Sequence, residues 1–360
     1  MLNRLAVIGA GAVSAAMVAA APGMASAHGP ESGGHGPHGI VRTDLASDQP
    51  DVGKIHDDKL KNSWGIALGP TTPVWVANAG SGFATLFSGA TSHKGVSEQS
   101  PIKIPAADPA MTGQPTGQVF NTTKGFVIPH TGKPAAFIIA GRDGTINAFN
   151  GGTSAVQVKK VTGAVFTGIG LIPTRHGTVL AAADARNDRI DFFNSNFQQI
   201  SLHGAFEDHR LPADASVFNI QEVGGRTVVT YEVGSAYADP TSDKIQGFVD
   251  EFSNDGRLQH RLVNPGVLQE PWGLTIAPRG FEYPGDLLVG NFRDGKINVF
   301  DPRNGHFIAT LRDDKGHPIV IDGLWGLVPG NGVAGDKDDV LYAAGPNHQA
   351  NGLYGILSAK

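Results

Sequence analysis

No cysteine occurs in the 360 residues, which excludes disulfide staples and thiolate chemistry. Charge is sparse as well: Asp, Glu, Lys and Arg make up 17% of the chain, with a formal net charge of −5. No Lys/Arg cluster interrupts this pattern. A nucleic-acid partner is therefore not expected, because phosphate binding needs a concentrated basic patch. Gly-x-Ser-x-Gly, His-Glu-x-x-His and a phosphate loop are all missing, so no familiar nucleophile or zinc motif announces itself. Long apolar runs are missing too, apart from one at the N-terminus.

That one run, "LAVIGAGAVSAAMVAAA" (Leu5–Ala21), follows Arg4 and precedes the small-residue site Ala25-Ser26-Ala27. It reads as a cleaved signal peptide over residues 1–27, with export to the cell envelope or beyond, and no membrane span after cleavage; the alternative is a retained anchor. Residues 28–39 follow as a His/Gly/Pro-rich flexible tail holding His28, His35 and His38. If His28 becomes the first residue, its amine and imidazole offer a copper chelate, although a Gly/Pro tail gives poor preorganisation.

Glycine is abundant, at 49 residues, and supplies the positive-φ positions that tight turns require. Six stretches share a strand–polar turn–strand pattern: Val74–Phe87, Ala136–Phe149, Leu180–Asn194, Val228–Phe252, Leu287–Phe300 and Val340–Ile356. The fourth is swollen at its turn by "GSAYADPTSDKIQG", a lid or a surface loop, with Asp239 and Asp243 as loose cation ligands. Each hairpin follows a second element centred on Gly65, Gly117, Gly168, Asn219, Gly273 or Gly326, at spacings of 52, 51, 51, 54 and 53 residues. Four-stranded propeller repeats occupy roughly 40–50 residues. The fold expected is all-β: a single six-bladed β-propeller over residues 40–360, with four-stranded antiparallel blades around a central channel. The first strand of each blade lines the axis, and Gly lets the converging backbones approach. Ile40–Leu45 is expected to close the ring as an outer strand of the last blade.

The segment "AADARNDRIDFF" resembles the NHL repeat. With "NSWGIALGPTTPVWVANAGSG", "PTGQVFN", "FNIQEVGG", "PWGLTIAP", "LLVGNFRDGKINVFDP" and "IDGLWGL", the chain resembles an uncharacterised family of secreted bacterial propellers, from Asn62 to Ile356. The resemblance implies fold and export, and carries no reaction with it. It leads one to expect Asn near Gln269-Glu270, where this chain has Glu270.

Function on such a scaffold belongs to the loops at the channel mouth. The turns offer Asn78, Arg142, Asp143, Arg186, Asn187, Asn291, Arg293 and His348 as ligand-binding candidates. Arg142, Arg186 and Arg293 occupy comparable turn positions, either as a guanidinium ring for an anionic ligand or as partners of Asp143, Asp184 and Asp294. The connections into the inner strands offer Asn62, Asn219, Glu270 and Asp322 as oxygen ligands for a Ca²⁺-like divalent cation; the alternative is that they shape their own turns. Trp64, Trp272 and Trp325 each precede an inner-strand Gly, forming either an aromatic mouth or inter-blade packing. Two functions follow: a monomeric secreted binder of a small molecule, glycan or protein at the channel mouth, or a metal-dependent hydrolase of lactonase/esterase type at an axial site, with a weaker lyase form using His348 or His130.

Overall fold

The computed structural model describes residues 39–234, 246–262 and 266–360. The signal segment, His28, His35, His38 and the centre of the swollen turn with Asp239 and Asp243 lie outside the described residues. The chain opens with β1 (Ile40–Ser47) and the short β2 (Ile55–His56). Blade 1 is β3 (Ser63–Ala67), β4 (Val74–Asn78), β5 (Phe83–Ser88) and β6 (Ser97–Lys103). Blade 2 is β7 (Pro115–Phe120), β8 (Phe137–Gly141), β9 (Thr145–Phe149) and β10 (Val156–Lys160). Blade 3 is β11 (Phe166–Thr174), β12 (Gly177–Asp184), β13 (Arg189–Phe193) and β14 (Gln199–Ile200). Blade 4 is β15 (Ala215–Val223), β16 (Arg226–Val233), β17 (Gln246–Phe252) and β18 (Leu258–Leu262). Blade 5 is β19 (Pro271–Ile276), β20 (Leu287–Asn291), β21 (Ile297–Phe300) and β22 (Phe307–Thr310). Blade 6 takes β23 (Leu324–Pro329), β24 (Val340–Ala344) and β25 (Leu353–Ala359), separated in part by the single turn α1 (Pro346–Gln349).

Six sheets result, each antiparallel from strand one to strand four, forming the six-bladed propeller. Blade 6 borrows its fourth strand from the start of the chain: β1 pairs antiparallel with β25 from Ile40↔Ala359 to Ser47↔Leu353. The closing strand thus runs two residues past the expected Leu45, and β2 adds a short parallel edge to it. Joining the two ends of the chain in one sheet removes the open edges that a linear array would leave.

Strand alternation explains how blades pack. In blade 5, Leu287, Val289 and Phe300 join a core facing blade 4. Leu288, Ile297 and Val299 point the opposite way into the core shared with blade 6. Successive side chains on a strand alternate faces, so a strand buried on both faces reads as a nearly continuous apolar run. The same arrangement builds one core in each of the other inter-blade gaps. Each fully buried Leu, Ile or Phe contributes about 1.5–3 kcal/mol of hydrophobic stabilisation.

The periodic glycines sit where the register of strand one shifts, for example between Ser63 and Ile66, Pro115 and Gln118, and Leu324 and Leu327. Each therefore marks an irregularity at the axis. A Cβ on Gly117 would lie 2.7 Å from the Ile169 nitrogen of the next blade. In blade 4 the equivalent residue is Asn219, whose side chain fills the space over Gly168 and donates to the Trp272 carbonyl at 2.8 Å. At this level the central channel narrows to a space lined by Gln118, Ile169, Asn219 and Gln221 that admits no water-sized sphere.

Candidate functional site at the channel mouth

The three tryptophans meet at the axis rather than between blades. Trp64 stacks on Trp325 at a 3.6 Å centroid separation, and Phe292 covers the same indole at 4.0 Å. Trp272 meets both indoles edge-on, and Phe218 completes the cluster. All three indoles are buried. Each Trp precedes the bulge glycine of its own inner strand, so three neighbouring blades deliver a ring at one height. The Trp64 indole N–H donates to Asn62 Oδ1 at 2.7 Å and that of Trp272 to the Thr167 carbonyl at 3.0 Å, whereas the buried Trp325 N–H has no partner.

The cation candidates are held by their surroundings. Asn62 Oδ1 accepts from Trp64 while its Nδ2 donates to Gln349 at 3.2 Å. Asn219 Oδ1 accepts from the Ile220 N–H at 2.8 Å. Asp322 is exposed and accepts from the Asn347 N–H at 2.8 Å. Glu270 faces the Arg293 guanidinium at 3.8 Å. Among the described residues no group of three or more His, Asp or Glu side chains is arranged to hold a metal ion.

The turn candidates divide similarly. Asn78 is fully buried, accepting from Ser63 Oγ and donating to Thr85 Oγ1, and so braces its own blade. Asp143 accepts from Thr145 Oγ1 and the Ala107 N–H. Arg186 and Asn187 are exposed, and Asn187 donates to Asp184 at 2.6 Å. Asp184 is bonded by Asn187 and faces Arg189 at 3.8 Å, while Asp294 pairs with Lys296. Asn291 is buried and donates to the Val267 carbonyl and to Asp294. His348 is exposed in a strained turn: Asn347, His348 and Gln349 have φ of 55°, 54° and 66°. Of the three arginines, two reach the aromatic cluster's neighbourhood: Arg142 lies 5.8 Å from the Trp64 ring centroid, and Arg293 lies beside Glu270.

Glu270 stands apart. Its backbone is in the left-handed region at φ 52°, unusual for a Glu. Its side chain is 1% exposed, and Oε1 lacks a hydrogen-bond partner. Burial pushes its carboxyl up to about 7, against the pull of Arg293. Glu232, at the end of β16, is also buried, and burial together with the Glu270 charge raises it to about 7. The Phe292 N–H donates to the Glu270 backbone carbonyl oxygen, which holds the Glu270 main chain beside the aromatic cluster. Glu232 carries no local signature beyond its place near the end of strand two: it follows Tyr231, the blade 4 counterpart of Asn78 and Asn291, and so matches Ala79 and Phe292 of blades 1 and 5.

The molecule is thus a six-bladed β-propeller with two buried carboxyl groups and an arginine above an aromatic plug. No family model matches the chain. It is 28% identical over 339 residues to an uncharacterized protein of Acanthamoeba polyphaga mimivirus, covering 87% of this chain and 78% of the viral one. A second uncharacterized protein of that virus is 29% identical over 262 residues, covering 68% of this chain and 67% of its own. Among solved structures, the alpha-L-arabinofuranosidase of Fusarium graminearum in complex with arabinobiose superposes with a TM-score of 0.58 at 12% identity, over 88% of this chain and 97% of that one. A protein of unknown function from Bacteroides thetaiotaomicron gives 0.52 at 13% identity, covering 88% and 76%. A streptogramin B lyase gives 0.50 at 9% identity, covering 89% and 97%. At such identities the likeness establishes the fold alone.

Proposed function

We propose that the protein is a hydrolase that cleaves a C–O bond of a small ester, lactone or glycoside at the channel mouth by acid–base catalysis. The observation that carries this reading is Glu270: a buried carboxyl whose Oε1 faces Arg293 at 3.8 Å without a hydrogen bond, held in a backbone conformation that disfavours Glu. Two carboxyls near 7 at one mouth suit general acid and general base at neutral pH. Arg293 favours the ionised form of Glu270, and the resulting charge favours the protonated form of Glu232. Glu270 is accordingly the base that takes a proton from water as its oxygen attacks. Glu232 is the acid that gives its proton to the departing oxygen. The Trp325–Phe292 stack is the floor under the substrate. Similarity of fold to a glycosidase and a lyase supports a catalytic reading in general terms, without transferring a substrate.

The protein is further proposed to be an exported, NHL-like monomer, which N-terminal sequencing and sizing of the secreted product test. For the activity, aryl esters, lactones and aryl glycosides are to be screened with wild-type protein and with Glu270→Gln and Glu232→Gln. Turnover that falls at least 100-fold in both variants, with unfolding midpoints no lower than wild type, supports the assignment. Turnover unchanged in Glu270→Gln refutes it. Binding without turnover returns the molecule to a ligand-binding propeller. Turnover that survives both substitutions yet disappears with chelator and returns with Ca²⁺ favours the cation-dependent alternative, in which Asn62 and Asn219 give up their present bonds.

A further inference from the structure

A cavity lies on the face opposite the carboxylates. Its walls come from turns between strands one and two and between strands three and four, such as Thr174–Gly177 and Asn194–Ser195, which open away from the mouth described above. It measures about 540 Å³, within the range of small-molecule sites. Phe126, Val179, Ile200, Leu202 and Phe206 form its apolar wall. Arg175, His176 and His203 are exposed at its rim, where Arg175 Nε donates to His176 Nε2 at 2.9 Å. Among the described residues Asp255 is the one carboxylate in the lining.

The wall, and Phe197 buried behind it, are built with unusual backbone. Phe126, Phe197 and Phe206 have φ of 56°, 58° and 62°, a region that bulky side chains rarely enter. In the strand three–four turns of blades 4 and 5, Gly256 and Gly305 hold the same conformation at φ 80° and 73°, so blade 3 has Phe197 where those two blades have glycine. Phe197 is buried against Phe126 at a centroid distance of 5.4 Å, and Phe206 against Phe192 and Phe252. Such mutual packing fixes the rings as a wall, and the cavity stays open beside them.

We infer that this cavity binds an anionic amphiphile, with an apolar body against the Phe126–Phe206 wall and a carboxylate head at Arg175. An Arg guanidinium presents paired donors suited to a carboxylate. The site is independent of the acid–base pair and needs no turnover there. Isothermal titration of the full protein with decanoate, decanol and decyltrimethylammonium tests it. Decanoate should bind at least tenfold more tightly than either other probe. Leu202→Trp, which fills the cavity, should abolish binding, and Arg175→Glu should weaken decanoate at least tenfold and erase its advantage over the cation. Should Leu202→Trp fail to fold, Thr178→Trp at the rim serves the same purpose. Equal affinity for the three probes, no binding of decanoate, or binding that survives the filled cavity overturns the inference.

Discussion

Replacing Glu270 by Asn should stabilise the fold while removing the base. The slot holds a left-handed backbone at φ 52°, and Asn tolerates that region better than Glu, a gain of about 1 kcal/mol. Burial also lifts the Glu270 carboxyl from 4.5 to about 7. A carboxyl raised in the folded state keeps the stability it has below its unfolded value and loses it as pH rises through the folded value. At about 1.36 kcal/mol per pH unit, wild type therefore carries a penalty on the order of 3 kcal/mol at pH 8.5 and less than about 1 kcal/mol at pH 5. Removing one methylene from a packed site offsets about 1 kcal/mol of the gain at both pH values. The advantage of the Asn variant should thus grow by about 2–3 kcal/mol between pH 5 and pH 8.5. Releasing Glu232 from the Glu270 charge acts in the same direction. Urea unfolding of both proteins, followed by the fluorescence of the four tryptophans, measures this difference, and other titrating groups cancel in the comparison. An advantage independent of pH, or an Asn variant less stable than wild type at pH 8.5, would refute the reasoning.

Two other perturbations test the scaffold. Arg261 bonds both Asp208 and Asp250 from a nearly buried position, and burial already lifts Asp250 to about 7. Arg261→Met should therefore cost about 3–5 kcal/mol in urea unfolding at pH 8, with part recovered when Asp250→Asn is added. Gly117→Ala brings a Cβ to 2.7 Å from the Ile169 nitrogen and should cost about 1–3 kcal/mol, whereas Gly151→Ala, with open space around it, should cost mainly its backbone preference; thermal unfolding of the pair separates crowding from conformation.

The architecture was legible because the axial backbone imposes a requirement that repeats once per blade. Where six first strands converge, a Cβ meets the neighbouring strand, and five of the six positions are glycine. Asn219 breaks the composition without breaking the period, since Gly168 beside it leaves room for its side chain. Closure by the first strand was legible too, because the last hairpin ended without a fourth partner. The site was less so. Glu270 was visible as an ionisable group entering an inner strand, but its partner Arg293 lies in a turn of the same blade and Glu232 lies in the blade before. Their proximity depends on how adjacent blades register, which the chain's local pattern does not encode. The Trp cluster shows the same limit: a Trp before each of three glycines fixes its height on the axis, yet whether it points inward depends on the bulge that the glycine permits.

That bulge also explains why Glu270 is the informative residue. Three places before the inner glycines of blades 1, 5 and 6 stand Asn62, Glu270 and Gly323, with φ of 50°, 52° and 63°. Blade geometry asks the same left-handed conformation of all three. Glycine satisfies it without strain, and Asn nearly so while its side chain binds Trp64 and Gln349. Glu satisfies it least well, and its Oε1 faces the Arg293 guanidinium at 3.8 Å without a hydrogen bond. A structural role would be met better by either alternative that the neighbouring blades display. The carboxylate at this slot makes physical sense when its basicity is the property in use.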